Sequence, residues 1–144
     1  MFCRMHALVA AGQMPLSALP KIGDMRKMFP GLGSWGRPSL TDMHRHHLLE
    51  GRYLKHVQAH MSPAGKALTP SAEDIPAYIV EQAKHTGLGG IAPELTKAIG
   101  NVTDPRLIYS AHVEVYERLG HLEMLEVFKR WWSAHGLPIP SPTP

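Results

Sequence analysis

Apolar positions recur at helical spacing through the middle of the chain. Between residues 40 and 61 they follow one another at heptad-like steps, and His47 falls on this apolar face. Ser39 and Asp42 stand three residues apart at the start of the pattern, as in a capping box. The spacing predicts an amphipathic helix over 40–61, broken near Gly51.

The clearest helical pattern lies in the last third of the chain. Asp104 precedes Pro105, which is a typical helix start, and apolar residues then line one face as far as Gly120. A second helix is predicted over 121–134, and Gly136 follows it. Because the link between the two helices is short, they are predicted to pack as an antiparallel pair.

Shorter elements are predicted between these helical regions. The segment 62–74 carries Ser, Pro and Gly and is typical of a loop. The apolar run 77–80 predicts a brief strand, and helices are predicted over 81–85 and 93–99.

Turn signals and prolines set the ends of the predicted domain. Several Pro and Gly turn signals predict mostly irregular chain over 1–38, with at most a short helix over 24–29. The segment 137–144 is a proline-rich tail. We therefore expect a single mainly α-helical α+β domain over 39–136, with a small strand–strand–helix unit followed by the antiparallel helix pair.

Composition narrows the classes of protein that fit. The 144 residues suit one domain, and the single cysteine excludes an intramolecular disulfide framework and a cysteine-rich zinc finger. No signal peptide is recognisable, and no apolar run approaches the roughly 20 residues of a membrane span. We expect no membrane partner, and either a cytoplasmic location or export as an effector by a non-classical route. The net charge of +3 permits an anionic partner.

Ten histidines are the most unusual feature of the composition, and they are densest at 44–47. Imidazole is a common metal ligand, and its pKa near neutrality also suits a general base. On a strand, neighbours such as His46 and His47 point in opposite directions, so one can hold a metal while the other deprotonates water. Glu50 could orient an imidazole, and Arg52 could neutralise a phosphate. The same histidines are also compatible with a solvated or apolar helix face.

The remaining histidines carry weaker signals. His56 and His60 have the i, i+4 spacing that places two ligands on one helix face, but the glutamate of an H-E-x-x-H motif is absent. His85 follows the predicted strand and could bring a ligand from a second element to His46 and His47. His112, with the other two C-terminal histidines, is expected to be structural.

Two motifs together resemble a known family. The segment 45–50 (RHHLLE), followed by the segment 75–86 (IPAYIVEQAKHT), resembles a pattern in the C-terminal domains of bacterial polymorphic toxins. There, a His-His-apolar-apolar-Glu element precedes a short strand and a histidine-bearing helix. Those domains are similar to the HNH, or ββα-metal, nucleases. The chain departs from the pattern at Gly89, where such helices often carry a polar residue, and it has no clear counterpart of the central asparagine.

The resemblance implies a metal-dependent nuclease. It implies that His46 and His85 bind a divalent ion, Mg²⁺, Zn²⁺ or Ni²⁺, and that His47 is the general base that activates water. It places Glu50 and Arg52 beside the scissile phosphate as supporting catalytic groups. It also implies DNA or RNA as the substrate and a neutralising immunity protein as a partner.

Two other functions are compatible with the sequence. The helical patterns favour a non-enzymatic protein-interaction module, which includes a degenerate relative of the nucleases. Alternatively, His56 and His60 could join His44 or His47 in a helical metal-binding protein. The separation between His85 and the pair at 46 and 47 distinguishes the nuclease from the interaction module.

Overall fold

Helices dominate the fold of this chain. The structure, a computed structural model, describes residues 2–33 and 43–141. Within these ranges, eight α-helices and a two-stranded antiparallel sheet form a mainly α-helical α+β fold, which confirms the predicted fold class. None of the helices in the described ranges combines the length and the apolar character needed to cross a bilayer.

The elements follow one another in a simple order. The helices are α1 (Phe2–Ala10), α2 (Ile22–Met28), α3 (Leu54–Gln58), α4 (Pro63–Leu68), α5 (Gln82–His85), α6 (Ile91–Ile99), α7 (Pro105–Arg118) and α8 (Leu122–Ala134). The strands are β1 (Met43–His47) and β2 (Ala77–Glu81). Short 3-10 helices lie at Leu16–Ala18, Gly51–Tyr53 and Ala72–Asp74.

The sheet and α5 form the predicted strand–strand–helix unit. β1 pairs with β2 in antiparallel register, so that Met43 lies opposite Glu81 and His46 lies opposite Tyr78. α5 begins at the residue after β2 and packs against both strands. The last residue of α5, His85, therefore lies next to β1 although it is remote from β1 along the chain.

The C-terminal helices form the predicted antiparallel pair. The Asp104 side chain caps α7 by accepting a hydrogen bond from the backbone N–H of Arg106. Gly120 lies between α7 and α8 with a φ of +79°, a left-handed conformation that favours glycine. Tyr109, near the start of α7, contacts Trp132, near the end of α8, with ring centroids 5.2 Å apart.

The main core lies between this helix pair and the elements that cover it. α8 packs against α1, and α7 packs against α6. Four large aromatic side chains are almost fully buried there: Tyr116, Phe128, Trp131 and Trp132. Each buried side chain of this size contributes on the order of 1.5–3 kcal/mol to folding. Tyr116 also joins α7 to the segment that follows β1, because its hydroxyl donates a hydrogen bond to the Leu48 carbonyl.

The helix predicted over 40–61 is wrong for its first part. Residues 43–47 form β1, and helical structure begins only at Gly51, while 39–42 lie outside the described residues. Met43 and His47 are four positions apart with only polar residues between them. The segment therefore fits the spacing of an amphipathic helix although it forms a strand. Pairing with β2 on one side and with Gly33 on the other bonds their backbone groups, and these tertiary contacts outweigh local helix spacing.

The expectation of mostly irregular chain is also wrong over part of 1–38 and over 62–74. α1, which Val9 anchors in the core, was not predicted, whereas α2 corresponds to the short helix allowed over 24–29 and is anchored by Ile22 and Met25. Residues 34–38 lie outside the described ranges. In the predicted loop, α4 begins at Pro63, and the Ser62 hydroxyl caps it by accepting a hydrogen bond from the Gly65 N–H. Pro and Ser here mark helix starts rather than continuous loop.

Candidate metal centre

Three buried side chains meet at the contact between β1 and α5. His46 lies in β1, Glu50 follows it by four residues, and His85 ends α5. The Oε1 atom of Glu50 is 3.2 Å from Nε2 of His85 and 3.5 Å from Nδ1 of His46. One ligand atom from each residue lies within 4.8 Å of the others. Within 2–33 and 43–141, no other group of three or more His, Cys, Asp or Glu side chains meets in this way.

Strand geometry selects which histidines enter this group. Successive side chains of a strand point to opposite faces, so His44 and His46 share one face of β1. Both rings contact the His85 ring, with centroids 5.3 Å and 4.9 Å away. After β1, the buried residues Leu48 and Leu49 anchor the chain in the core, and Glu50 returns to the same site.

The donor atoms of this group fit a metal ion. Two imidazoles and a carboxylate are a common ligand set for divalent transition metals. Nδ1 of His46 is buried and has no hydrogen-bond partner within the described part of the chain, although a carboxylate oxygen lies 3.5 Å away. A cation between these two atoms would satisfy both of them.

His44 orients His85 from the side away from Glu50. Its Nδ1 lies 3.1 Å from Nδ1 of His85, so one of these nitrogens donates to the other. If Nε2 of His85 binds a metal, Nδ1 of His85 carries the hydrogen and donates it to His44. Ligating histidines are commonly held in this way through their second ring nitrogen.

Burial and hydrogen bonding set the charges of the site. Desolvation lowers the pKa of His46 below its ordinary value, which favours the neutral imidazole. Burial alone would raise the pKa of Glu50, but the neighbouring imidazoles of His46 and His85 hold it well below its ordinary value. At neutral pH the site therefore holds a carboxylate and a neutral His46, the protonation states that bind metals.

His47, the predicted general base, lies on the other face of β1. Its Nε2 abuts Gly51, because a Cβ at that position would stand 3.2 Å from the nitrogen. Its side chain is only partly buried. Burial, together with the neighbouring His46, lowers the pKa of His47 to about 4, so the ring is neutral at pH 7 but a weaker base than an ordinary histidine. Its catalytic role stays a prediction.

Arg52, the predicted phosphate contact, lies beside Glu50 and binds α6. Its guanidinium donates to the Thr96 hydroxyl at 2.8 Å and to the Ala92 carbonyl at 2.9 Å. Its Nε lies 4.0 Å from Oε2 of Glu50. The structure thus gives Arg52 a role in joining the segment after β1 to α6, and its contact with a phosphate stays a prediction.

Sequence reasoning missed two residues of α7 that support the site. Nε2 of His112 accepts a hydrogen bond from the Glu50 backbone N–H at 3.3 Å, and Nδ1 of His112 donates to the Ile108 carbonyl at 2.8 Å. The Tyr116 hydroxyl lies 2.7 Å from Nε2 of His46. His112 and Tyr116 are four residues apart on the buried face of α7. Hydrogen-bonding groups on an otherwise apolar helix face were the signal that could have revealed them.

His56 and His60 do not join a metal-binding group among the described residues. His56 lies in α3, whereas His60 lies beyond the end of that helix and is exposed. The i, i+4 spacing therefore does not correspond to two ligands on one continuous helix here.

Comparisons with known proteins add no relationship to this geometry. No protein-family model, no curated protein and no solved structure matches the chain.

Proposed function

We propose that this protein is a metal-dependent nuclease of the ββα-metal type that hydrolyses phosphodiester bonds of DNA or RNA. The observation that carries the proposal is the convergence of His46, Glu50 and His85 within 4.8 Å. Their order along the chain (first strand, following segment, helix after the second strand) is the order that the toxin-like motifs imply. The same resemblance supports a neutralising immunity protein as a partner.

The ligand set favours some ions over others. Imidazole nitrogens suit Zn²⁺ and Ni²⁺, whereas Mg²⁺ prefers oxygen ligands and retains several waters. Two of the three protein ligands here are imidazoles. We therefore propose Zn²⁺ or Ni²⁺ rather than Mg²⁺ as the ion that His46, Glu50 and His85 hold.

The residues of the chain divide the work of hydrolysis between them. When bound, the ion polarises the scissile phosphate and stabilises the leaving oxygen. His47, which is neutral at pH 7, accepts a proton from water as the water oxygen attacks phosphorus and the bond to the leaving oxygen breaks. The net charge of +3 helps to retain the polyanionic substrate.

A structural metal centre in a non-enzymatic helical module is the second function that the geometry supports. It is favoured by the burial of the ligands, since His46, Glu50 and His85 are 0%, 4% and 2% exposed. Structural zinc sites, however, usually have four protein ligands, whereas catalytic sites usually have three and leave one position for water or substrate. The three-residue group therefore favours the nuclease.

A degradation assay with the full chain separates these functions. Plasmid DNA and RNA are incubated with the protein and added Zn²⁺, Ni²⁺ or Mg²⁺, beside the variants H47A and H60A. We expect cleavage by the unaltered chain and by H60A, because His60 is exposed and outside the ligand group. Loss of the general base should slow H47A by about 10²–10⁴-fold.

Two results would contradict the proposal, one from this cleavage assay and one from thermal unfolding with added metal. Undiminished cleavage by H47A rules out His47 as the base. If Zn²⁺ or Ni²⁺ raises the thermal stability of the unaltered chain but neither nucleic acid is cleaved, the structural metal centre replaces the nuclease.

A further inference from the structure

The hydroxyl of Tyr116 fixes the position of the hydrogen on the His46 ring. Its oxygen lies 2.6 Å from the Leu48 carbonyl, which can only accept, so the hydroxyl donates its single hydrogen there. The same oxygen lies 2.7 Å from Nε2 of His46. Because the hydroxyl hydrogen is already used, Nε2 must be the donor in this second bond. In the neutral ring, which is the form that binds a metal, the hydrogen therefore lies on Nε2 and the lone pair on Nδ1.

This tautomer presents the correct atom to the ligand group. Nδ1 of His46 is the atom that faces the Glu50 carboxylate, 3.5 Å away. The opposite tautomer would place a hydrogen on Nδ1 that points at Glu50, and a metal could bind there only after that hydrogen was lost. It would also leave the buried Nε2 without a donor to accept from, because the Tyr116 hydroxyl donates to Leu48.

We propose that Tyr116 is a positioning residue that holds His46 in its Nε2–H tautomer and thereby keeps Nδ1 available as a metal ligand. This inference rests on the metal centre of the proposed function and assigns it an outer-shell partner on α7. Tyr116 is fully buried, and its ring meets the rings of His46 and Phe128 edge to face, each at 5.8 Å between centroids. Turning its hydroxyl away would leave the buried Leu48 carbonyl unpaired, which is costly.

The variant Y116F tests this role, and Y109F is its matched control. Both substitutions remove one hydroxyl from a tyrosine of α7 whose ring contacts Phe128 at 5.8 Å, but only Tyr116 bonds to His46. Titration calorimetry with Zn²⁺ or Ni²⁺ measures the affinity of the unaltered chain and of each variant. Loss of an outer-shell partner is expected to weaken binding by Y116F about 10–100-fold, with Y109F unchanged. Equal affinities of Y116F and Y109F would overturn the proposal.

The tautomer itself is measured on the metal-free chain. In a long-range ¹H–¹⁵N spectrum of ¹⁵N-labelled unaltered protein, Nε2 of His46 should show the shift of a protonated nitrogen and Nδ1 that of an unprotonated one. In Y116F the two shifts should move toward each other as the tautomers mix. A hydrogen on Nδ1 in the unaltered protein overturns the inference, even if Y116F does not fold.

The two proposals fail in different ways. A chain that cleaves nucleic acid and binds metal, but has its His46 hydrogen on Nδ1, overturns the role of Tyr116 alone. A chain with the expected tautomer and the expected loss of affinity in Y116F, but without cleavage of DNA or RNA, overturns the nuclease alone.

Discussion

The substitution E50Q removes the only negative charge of the ligand group while keeping its size and shape. In the unaltered chain the Glu50 carboxylate accepts from His85 at 3.2 Å, and the side chain is 4% exposed. A glutamine oxygen can still accept from His85, but the bond is no longer assisted by charge. An amide is also a far poorer metal ligand than a carboxylate. We therefore expect two separable effects, one without metal and one with it.

The size of each effect follows from the geometry. Without metal, replacing a charge-assisted hydrogen bond by a neutral one should lower the free energy of unfolding by about 1 kcal/mol. With metal at 100 times its dissociation constant, the unaltered chain gains about 2.7 kcal/mol. Loss of a group that only supports a ligand weakens metal binding by up to about 100-fold. Loss of a ligand itself should therefore weaken metal binding at least as strongly. At the same metal concentration E50Q would then gain no more than about 0.4 kcal/mol.

Urea unfolding with and without Zn²⁺ or Ni²⁺ measures both effects. The matched control is E126Q, which removes a carboxylate from an exposed i, i+3 pair with Lys129 and should change stability by less than about 0.5 kcal/mol. E126Q should keep the full gain on metal addition. If E50Q gains as much stability from the ion as the unaltered chain does, Glu50 is not a ligand and the metal centre proposed here is wrong.

Two further predictions concern the surroundings of the site. Burial lowers the pKa of His112 from 6.5 to about 4, so the unfolded chain takes up a proton first, and stability present above pH 6.5 is lost as pH falls toward 4. This histidine contributes roughly 3 kcal/mol to that loss. The free energy of unfolding of H112Q, measured in urea, should therefore change less between pH 7 and 4.5 than that of the unaltered chain. An equal change in both proteins contradicts this prediction. R52A, which removes two hydrogen bonds to α6, should lower the free energy of unfolding by about 1–3 kcal/mol in the same assay. The KM of R52A for nucleic acid rises only if Arg52 also contacts phosphate. If R52A is as stable as the unaltered chain, the structural role of Arg52 is refuted.

The parts of the fold that sequence reasoning predicted are those with local signals. The Asp104 cap, the glycine at 120 and the apolar stripe between them define α7 without reference to the rest of the molecule. The short link to α8 then leaves an antiparallel pair as the natural arrangement. The strand at Ala77–Glu81 was predicted for the same reason, because its apolar run follows a proline directly.

The strand β1 could not be recognised from its own residues. Its five residues are MHRHH, which lack the apolar alternation of an ordinary strand, and Met43 and His47 fit the helical spacing of the residues that follow. Three consecutive residues of this strand, 44–46, are buried, and all are polar. Contacts outside the strand supply hydrogen-bond partners to these side chains: His85 of α5 to His44, the Phe29 carbonyl after α2 to Arg45, and Tyr116 of α7 to His46. These partners lie 16 to 70 positions away along the chain, so no local window contains the information.

For the ligand group too, the sequence determined some features and the tertiary structure decided others. The sequence by itself determined which chemical groups are available: adjacent histidines at 46 and 47, a carboxylate at 50, and a histidine after the second strand. Only the tertiary structure decided that His46 rather than His47 faces His85, because strand alternation and the antiparallel register set the direction of each ring. It also brought α7 to the site, where Tyr116 reaches His46 across 70 positions of chain. A hydrogen bond over such a separation depends on the packing of the whole core, whereas a cap or a turn depends on a few neighbouring residues.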